Sequence, residues 1–188
     1  MKRIVILVFI LSNFFSQIAA QQNWAAISCS KMNETDYINR MFVDSLHNEI
    51  ILYSLVGSTV CNTTYKGIVA YNGNGFHDLS KGIDTHNPNP TANGAPVWGC
   101  IRYGNKTLFG GGFLSVGTNT VYAKSIALWN GSVWDTFPTH VFDNAPNWNS
   151  GGAFYGFLRW NGKLWMYGVF DKIGSTITKN LAAYDGYT

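Results

Sequence analysis

One phrase occurs three times in this chain. Ile126-Ala127-Leu128-Trp129-Asn130-Gly131 is matched by Ile68-Val69-Ala70-Tyr71-Asn72-Gly73 and by Leu181-Ala182-Ala183-Tyr184-Asp185-Gly186, with the glycines 58 and then 55 residues apart. Self-similarity at such a period means one supersecondary unit copied along the chain, each copy needing its neighbours to bury its apolar faces. Each phrase is a short apolar run that ends in turn formers, which suits a strand better than a helix.

The longest internal match joins Pro96 to Phe113 with Ala153 to Phe170 at a constant offset of 57. Val97-Trp98-Gly99-Cys100-Ile101-Arg102-Tyr103 lies over Phe154-Tyr155-Gly156-Phe157-Leu158-Arg159-Trp160. Cys100 stands where the next copy has Phe157, so it is expected to be a small core residue. Each copy turns at Gly104-Asn105 or Asn161-Gly162, both hairpin signals because such residues tolerate positive φ. A second strand, a linker at Val116-Gly117 or Ile173-Gly174, the repeated phrase, and a fourth strand from Val133-Trp134 complete the unit. Four short antiparallel strands per copy is the content of one β-propeller blade. The earliest copy is worn: His47-Asn48-Glu49 marks its first hairpin and Ile50 to Tyr53 its second strand, without the glycine cluster.

The predicted fold class is therefore all-β, with about three copies of a repeat of roughly 57 residues. Residues 1–20 are read as a leader, 21–42 as a lead-in segment and 43–188 as the repeats, with copies at about 43–95, 96–152 and 153–188. Closed propellers need at least about four blades. An open arc is expected to be a piece of a larger protein, or to close by association of chains, and its uncovered sheet faces and edges are expected to drive self-association.

Gly110-Gly111-Gly112-Phe113, Val116-Gly117, the phrase at 126–131 and Trp134 resemble the repeat of secreted kelch-type and related β-propellers. The resemblance covers roughly residues 43 to 188 and extends to exported propeller proteins of Bacteroidota, in which a leader ending in Ala followed by Gln is common, as at Ala20-Gln21. It implies binding or scaffolding more often than catalysis. Kelch-type relatives include copper oxidases with His and Tyr ligands, but that ligand set has no counterpart that these residues identify.

The first 20 residues have the three parts of a secretory signal: Lys2-Arg3, an apolar run from Ile4 to Phe15, and Ile18-Ala19-Ala20 before polar residues. The run is too short to span a bilayer, and no later stretch reaches spanning length, so the mature chain is expected to be secreted or at the cell surface. Removing Lys2 and Arg3 changes 13 basic against 10 acidic residues to 11 against 10. No basic cluster remains, which argues against nucleic acid as a partner. Cys29, Cys61 and Cys100 form an odd set in which one pair can close, and the spacing does not choose the pair.

The catalytic inventory is thin. His47, His77, His86 and His140 are scattered without metal-ligand spacing, no Gly-x-Ser-x-Gly elbow occurs, and the glycines are turn residues with no phosphate-cradling Lys-Ser/Thr after them. No metal, cofactor or catalytic residue is expected. Arg102 and Arg159 hold equivalent places in their strands and are expected either to line a channel or to lie between blades, spread over aromatic rings or paired with a carboxylate. The inter-blade loops are where a ligand would be met. His86 and Asn87 belong to one such loop, and Asn147, Trp148 and Asn149 to the next; an aromatic flanked by amides suits a sugar ring as well as ordinary loop packing. The expected function is a non-catalytic, exported propeller segment for binding or surface scaffolding, with a protein or carbohydrate partner. The alternative is part of a secreted enzyme, glycan-active or a kelch-type oxidoreductase, with its catalytic residues in further blades.

Overall fold

The computed structural model describes residues 37–56, 59–61, 63–65, 67–79, 83–84, 97–113, 115–117, 121–138, 141–142 and 153–186. Among them there is no helix. Residues 1–20, expected to be a leader, lie outside the described residues, as do His86, Asn87, Asn147, Trp148 and Asn149, expected to be in loops.

The first sheet comprises β1 (Tyr37–Asp44) and β2 (Glu49–Val56), then, after a small hairpin of β3 (Thr59–Val60) and β4 (Thr63–Thr64), β5 (Ile68–Tyr71) and β6 (Phe76–His77), in the order β1-β2-β5-β6. Its opening strand begins at Tyr37, ahead of the boundary expected at 43. A two-residue strand, β7 (Ile83–Asp84), follows. The second sheet has β8 (Val97–Tyr103), β9 (Lys106–Gly111), β12 (Ile126–Trp129) and β13 (Trp134–Thr136), with β10 (Ser115–Val116) and β11 (Val121–Tyr122) inside the connection from β9 to β12. After β14 (Val141–Phe142), the third sheet is built from β15 (Ala153–Trp160), β16 (Lys163–Val169) and β19 (Leu181–Tyr184), and its own connection holds β17 (Lys172–Ile173) and β18 (Thr176–Ile177). The connections expected as plain linkers are thus strand pairs. Each takes a third strand from the segment between sheets, giving β11-β10-β7 and β14-β17-β18.

Registers in the second and third sheets coincide. Val97 faces Gly111 and Gly99 faces Gly110 across a bulge; Phe154 faces Gly168 and Gly156 faces Tyr167 across the same irregularity, each 57 residues on. Glycine is needed there because the sheets approach closely. A Cβ at Gly99 would meet the backbone of Gly156, and one at Gly110 would overlap the Phe154 and Phe157 side chains. The hairpins differ in turn chemistry: Gly104 alone is left-handed in one (φ 60), whereas Asn161 and Gly162 both are in the other (φ 50 and 73). That is the distinction between a II′ and a I′ turn.

The repeated phrase owes its ending to a local bond pattern. Asn72 Oδ1 accepts from the amides of Asn74 and Gly75, and Asn130 Oδ1 from those of Ser132 and Val133. The following glycines sit at φ 91 and 96, and Gly186 repeats this at 87. An amide or carboxylate that caps its own turn, with glycine next, is self-contained.

Side chains alternate between the two faces of each strand, and the central sheet is buried on both. Phe109, Ala127 and Trp129 join Ile51, Tyr53, Ile68 and Ala70 in one cluster between the first and second sheets. Leu108, Ile126 and Leu128 join Phe154, Leu164 and Met166 in another, between the second and third. Burial of each such side chain is worth about 1.5–3 kcal/mol. Double-sided burial explains why Leu108-Phe109 and Ile126 to Trp129 are continuous apolar runs rather than alternating ones.

Candidate functional site

The polar centre of the described structure is a joint between the first two sheets, built around Asp44 at the end of β1. Its side chain has no exposed surface. The tight turn from β1 to β2 brings the Leu46 and His47 amides to Oδ1 at 3.2 and 3.4 Å, and His47 Nδ1 to Oδ2 at 2.9 Å. Two residues of the second sheet, neighbours across β8 and β9, complete it: Arg102 donates from Nη2 to Oδ1, and Thr107 Oγ1 donates to Oδ2 at 2.9 Å. Burial works to raise the Asp44 carboxyl, but the bonds from His47, Thr107 and Arg102 outweigh it and hold the group down at about 2.

His47 continues the joint. Its Nε2 donates to the carbonyl of Asn130 at 3.1 Å, and the ring rests on Gly131 so closely that a Cβ there would overlap the imidazole. On the same facing surfaces, His77 Nε2 pairs with Glu49 at 3.0 Å. The buried atoms Arg102 Nη1, Trp129 Nε1 and His77 Nδ1 have no hydrogen-bond partner.

Arg159 occupies the register position of Arg102 one sheet later and finds different partners. Its Nε donates to the Arg102 carbonyl at 3.3 Å, and its guanidinium lies 5.5 Å from the Tyr103 ring centroid. Tyr103 holds the position of Asp44, since Asp44 faces Glu49 and Tyr103 faces Lys106 at the same ends of their hairpins. In both joints an arginine from the following sheet reaches the last residue of the opening strand before it. The rings of Trp98 and Tyr155, also equivalent, meet edge to face at 5.1 Å.

This joint has the residue types of a catalytic dyad without its geometry. Asp44 is saturated by its donors, His47 is engaged at both ring nitrogens, and the hydroxyl at hand, Thr107, is spent on Asp44 itself. At this joint no nucleophile stands beside a free base. Among the described residues no three His, Cys, Asp or Glu groups converge on a metal-sized site. Cys61 is disulfide-bonded. Cys100 is a free, half-buried thiol against the first cluster, and burial pushes its pKa well up.

Sequence reasoning singled out both arginines and missed Asp44. The signal was an acidic residue where the other copies have Tyr103 and Trp160, since a charge at a core position demands a partner. No protein-family model, no curated protein and no solved structure matches the chain.

Proposed function

We propose that the chain is an exported, non-catalytic β-propeller segment that serves in binding or cell-surface scaffolding. The observation that carries this reading is how the polar and apolar surfaces are used. The faces of the central sheet are consumed by its neighbours, and in the buried joint among the described residues Asp44 and both ring nitrogens of His47 are spent on internal bonds. The strands of the central sheet are committed to packing, and the segments 86–94 and 143–150, expected from the sequence to be loops, carry the polar residues and Trp148 suited to a carbohydrate or protein surface. The disulfide at Cys61 supports an oxidising destination, in agreement with the leader.

Two measurements test the reading. Expression of the full chain with its own leader in a secreting host is expected to deliver protein outside the cytoplasm beginning at Gln21; cytoplasmic retention with an intact leader contradicts export. A glycan array probed with the exported chain is expected to show selective binding that Trp148→Ala abolishes. Silence on the array, together with no protein captured from the extracellular fraction, removes the binding role.

A further inference from the structure

Each sheet carries a small strand pair in the connection before its repeated phrase: β3–β4, β10–β11 and β17–β18. The first strand of each pair ends at Val60, Val116 or Ile173. The next residue opens the turn in the left-handed region, with φ 53 at Cys61, 65 at Gly117 and 58 at Gly174. Glycine adopts this backbone without strain; cysteine does not. A second left-handed residue, Gly67, Ser125 or Asn180, stands just before the phrase in every case, so the three connections are equivalent.

Their outer edges are not treated alike. β10 takes β7 from the segment ahead of its sheet, Val116 facing Ile83 and Ser115 facing Asp84. β17 takes β14 in the same way, Ile173 facing Val141 and Lys172 facing Phe142. Among the described residues β3 pairs with β4 alone. Such an edge is a template for a further strand, and it is here that cysteine stands in place of glycine.

Cys61 is disulfide-bonded and Cys100 is free. The chain contains three cysteines, which leaves Cys29, upstream of β1 as β7 is upstream of β8 and β14 of β15. We infer that Cys29 is the partner of Cys61 and that the segment around it docks on the open edge of β3, held by a covalent bond where the later sheets rely on strand pairing. The bond accounts for a residue other than glycine in the left-handed turn. Residues ahead of β1 thereby belong to the first unit, and its edge is closed to strands of other chains. The bond forms as the two thiols give up two protons and two electrons to a disulfide oxidant, itself reduced to two thiols. The inference stands whether or not the sheets belong to a propeller.

The test uses the full chain produced under oxidising conditions. Denaturation with an alkylating agent and digestion without reductant are expected to yield a peptide pair joining Cys29 to Cys61, with the alkyl group on Cys100. A Cys61–Cys100 link, a Cys61–Cys61 link between chains, or an alkylated Cys61 overturns the pairing. Docking is read from hydrogen exchange of the folded chain. Reduction by a dithiol is expected to speed exchange in the peptide covering 59–60 by about tenfold or more, while peptides covering 115–116 and 172–173 keep their rates. Cys29→Ser/Cys61→Gly, which also removes the backbone strain, is expected to do the same with near-ultraviolet dichroism retained. Unchanged exchange at β3 shows a tether without docking, and equal acceleration in all three connections shows general loosening; either overturns the docking.

Discussion

The imidazole of His47 and the carbonyl of Asn130, 83 residues apart in sequence, meet at 3.1 Å, with Gly131 as the floor beneath the ring. The turn at Asn72-Gly73 has the same bonds and a similar backbone, φ 91 against 96, but a Cβ on Gly73 would meet nothing within 4 Å. Alanine at either glycine pays left-handed strain of about 1–2 kcal/mol. Gly131→Ala also displaces the imidazole, so urea denaturation is expected to show it losing about 1–3 kcal/mol more than Gly73→Ala. Adding His47→Ala to both should close most of that gap. Equal losses from the start would mean that His47 does not sit there.

Asp44 makes stability depend on acid. Its folded pKa of about 2 lies below the ordinary 3.8, so the unfolded chain binds the proton more readily. The contribution is fully present above about pH 4 and is lost as pH falls through about 2. A gap of about two pH units corresponds to about 2.5 kcal/mol. Urea midpoints of the native chain and of Asp44→Asn are expected to differ by about that much or more at pH 6 and to converge near pH 2. Parallel curves across the range would exclude Asp44 as the titrating group.

Arg102 and Arg159 share a register position but not an environment. Removing Arg102 strips a fully buried carboxylate of its charge partner, which costs about 3–5 kcal/mol. Removing Arg159 loses a ring contact and one long hydrogen bond at the surface, about 0.5–1 kcal/mol. Chemical denaturation of Arg102→Ala and Arg159→Ala should separate them clearly; a reversed order would contradict the partners assigned to each.

Gly110→Ala is expected to press on the Phe154 Cβ and force the Phe157 ring outward, a cost of about 1–3 kcal/mol. Phe157→Leu frees space at the same spot. The double variant is therefore expected to be more stable than the sum of the single losses implies, read from a double-mutant cycle in thermal or urea unfolding. Strict additivity would show that the two residues do not touch.

How much of this was legible in sequence varied with length and periodicity. The turns at Gly104-Asn105 and Asn161-Gly162 and the phrase at 126–131 were readable because glycine and asparagine announce positive φ. The constant offset over 96–113 and 153–170 carried the shared register, bulge included. The strand pairs β10–β11 and β17–β18 were hidden, since two-residue strands contain no full period to detect. The start of β1 at Tyr37 was missed because the first copy lacks the glycine cluster that marks the others. Asp44 escaped for a different reason. A partner that changes from carboxylate to ring between copies leaves no recurring letter, and its place beside Arg102 depends on two strands 58 residues apart.

The contrast between Tyr53 with Cys100 and Gly110 with Phe157 has a consequence for how the chain avoids misassembly. Either arginine would find an acceptor or a ring if its sheet stacked out of turn, so charge does not discriminate among neighbours. Volume does: Phe157 brought against Tyr53 would collide, and Cys100 brought against Gly110 would leave a void. Sheets that share a register are thus told apart at these positions by side-chain volume rather than by charge.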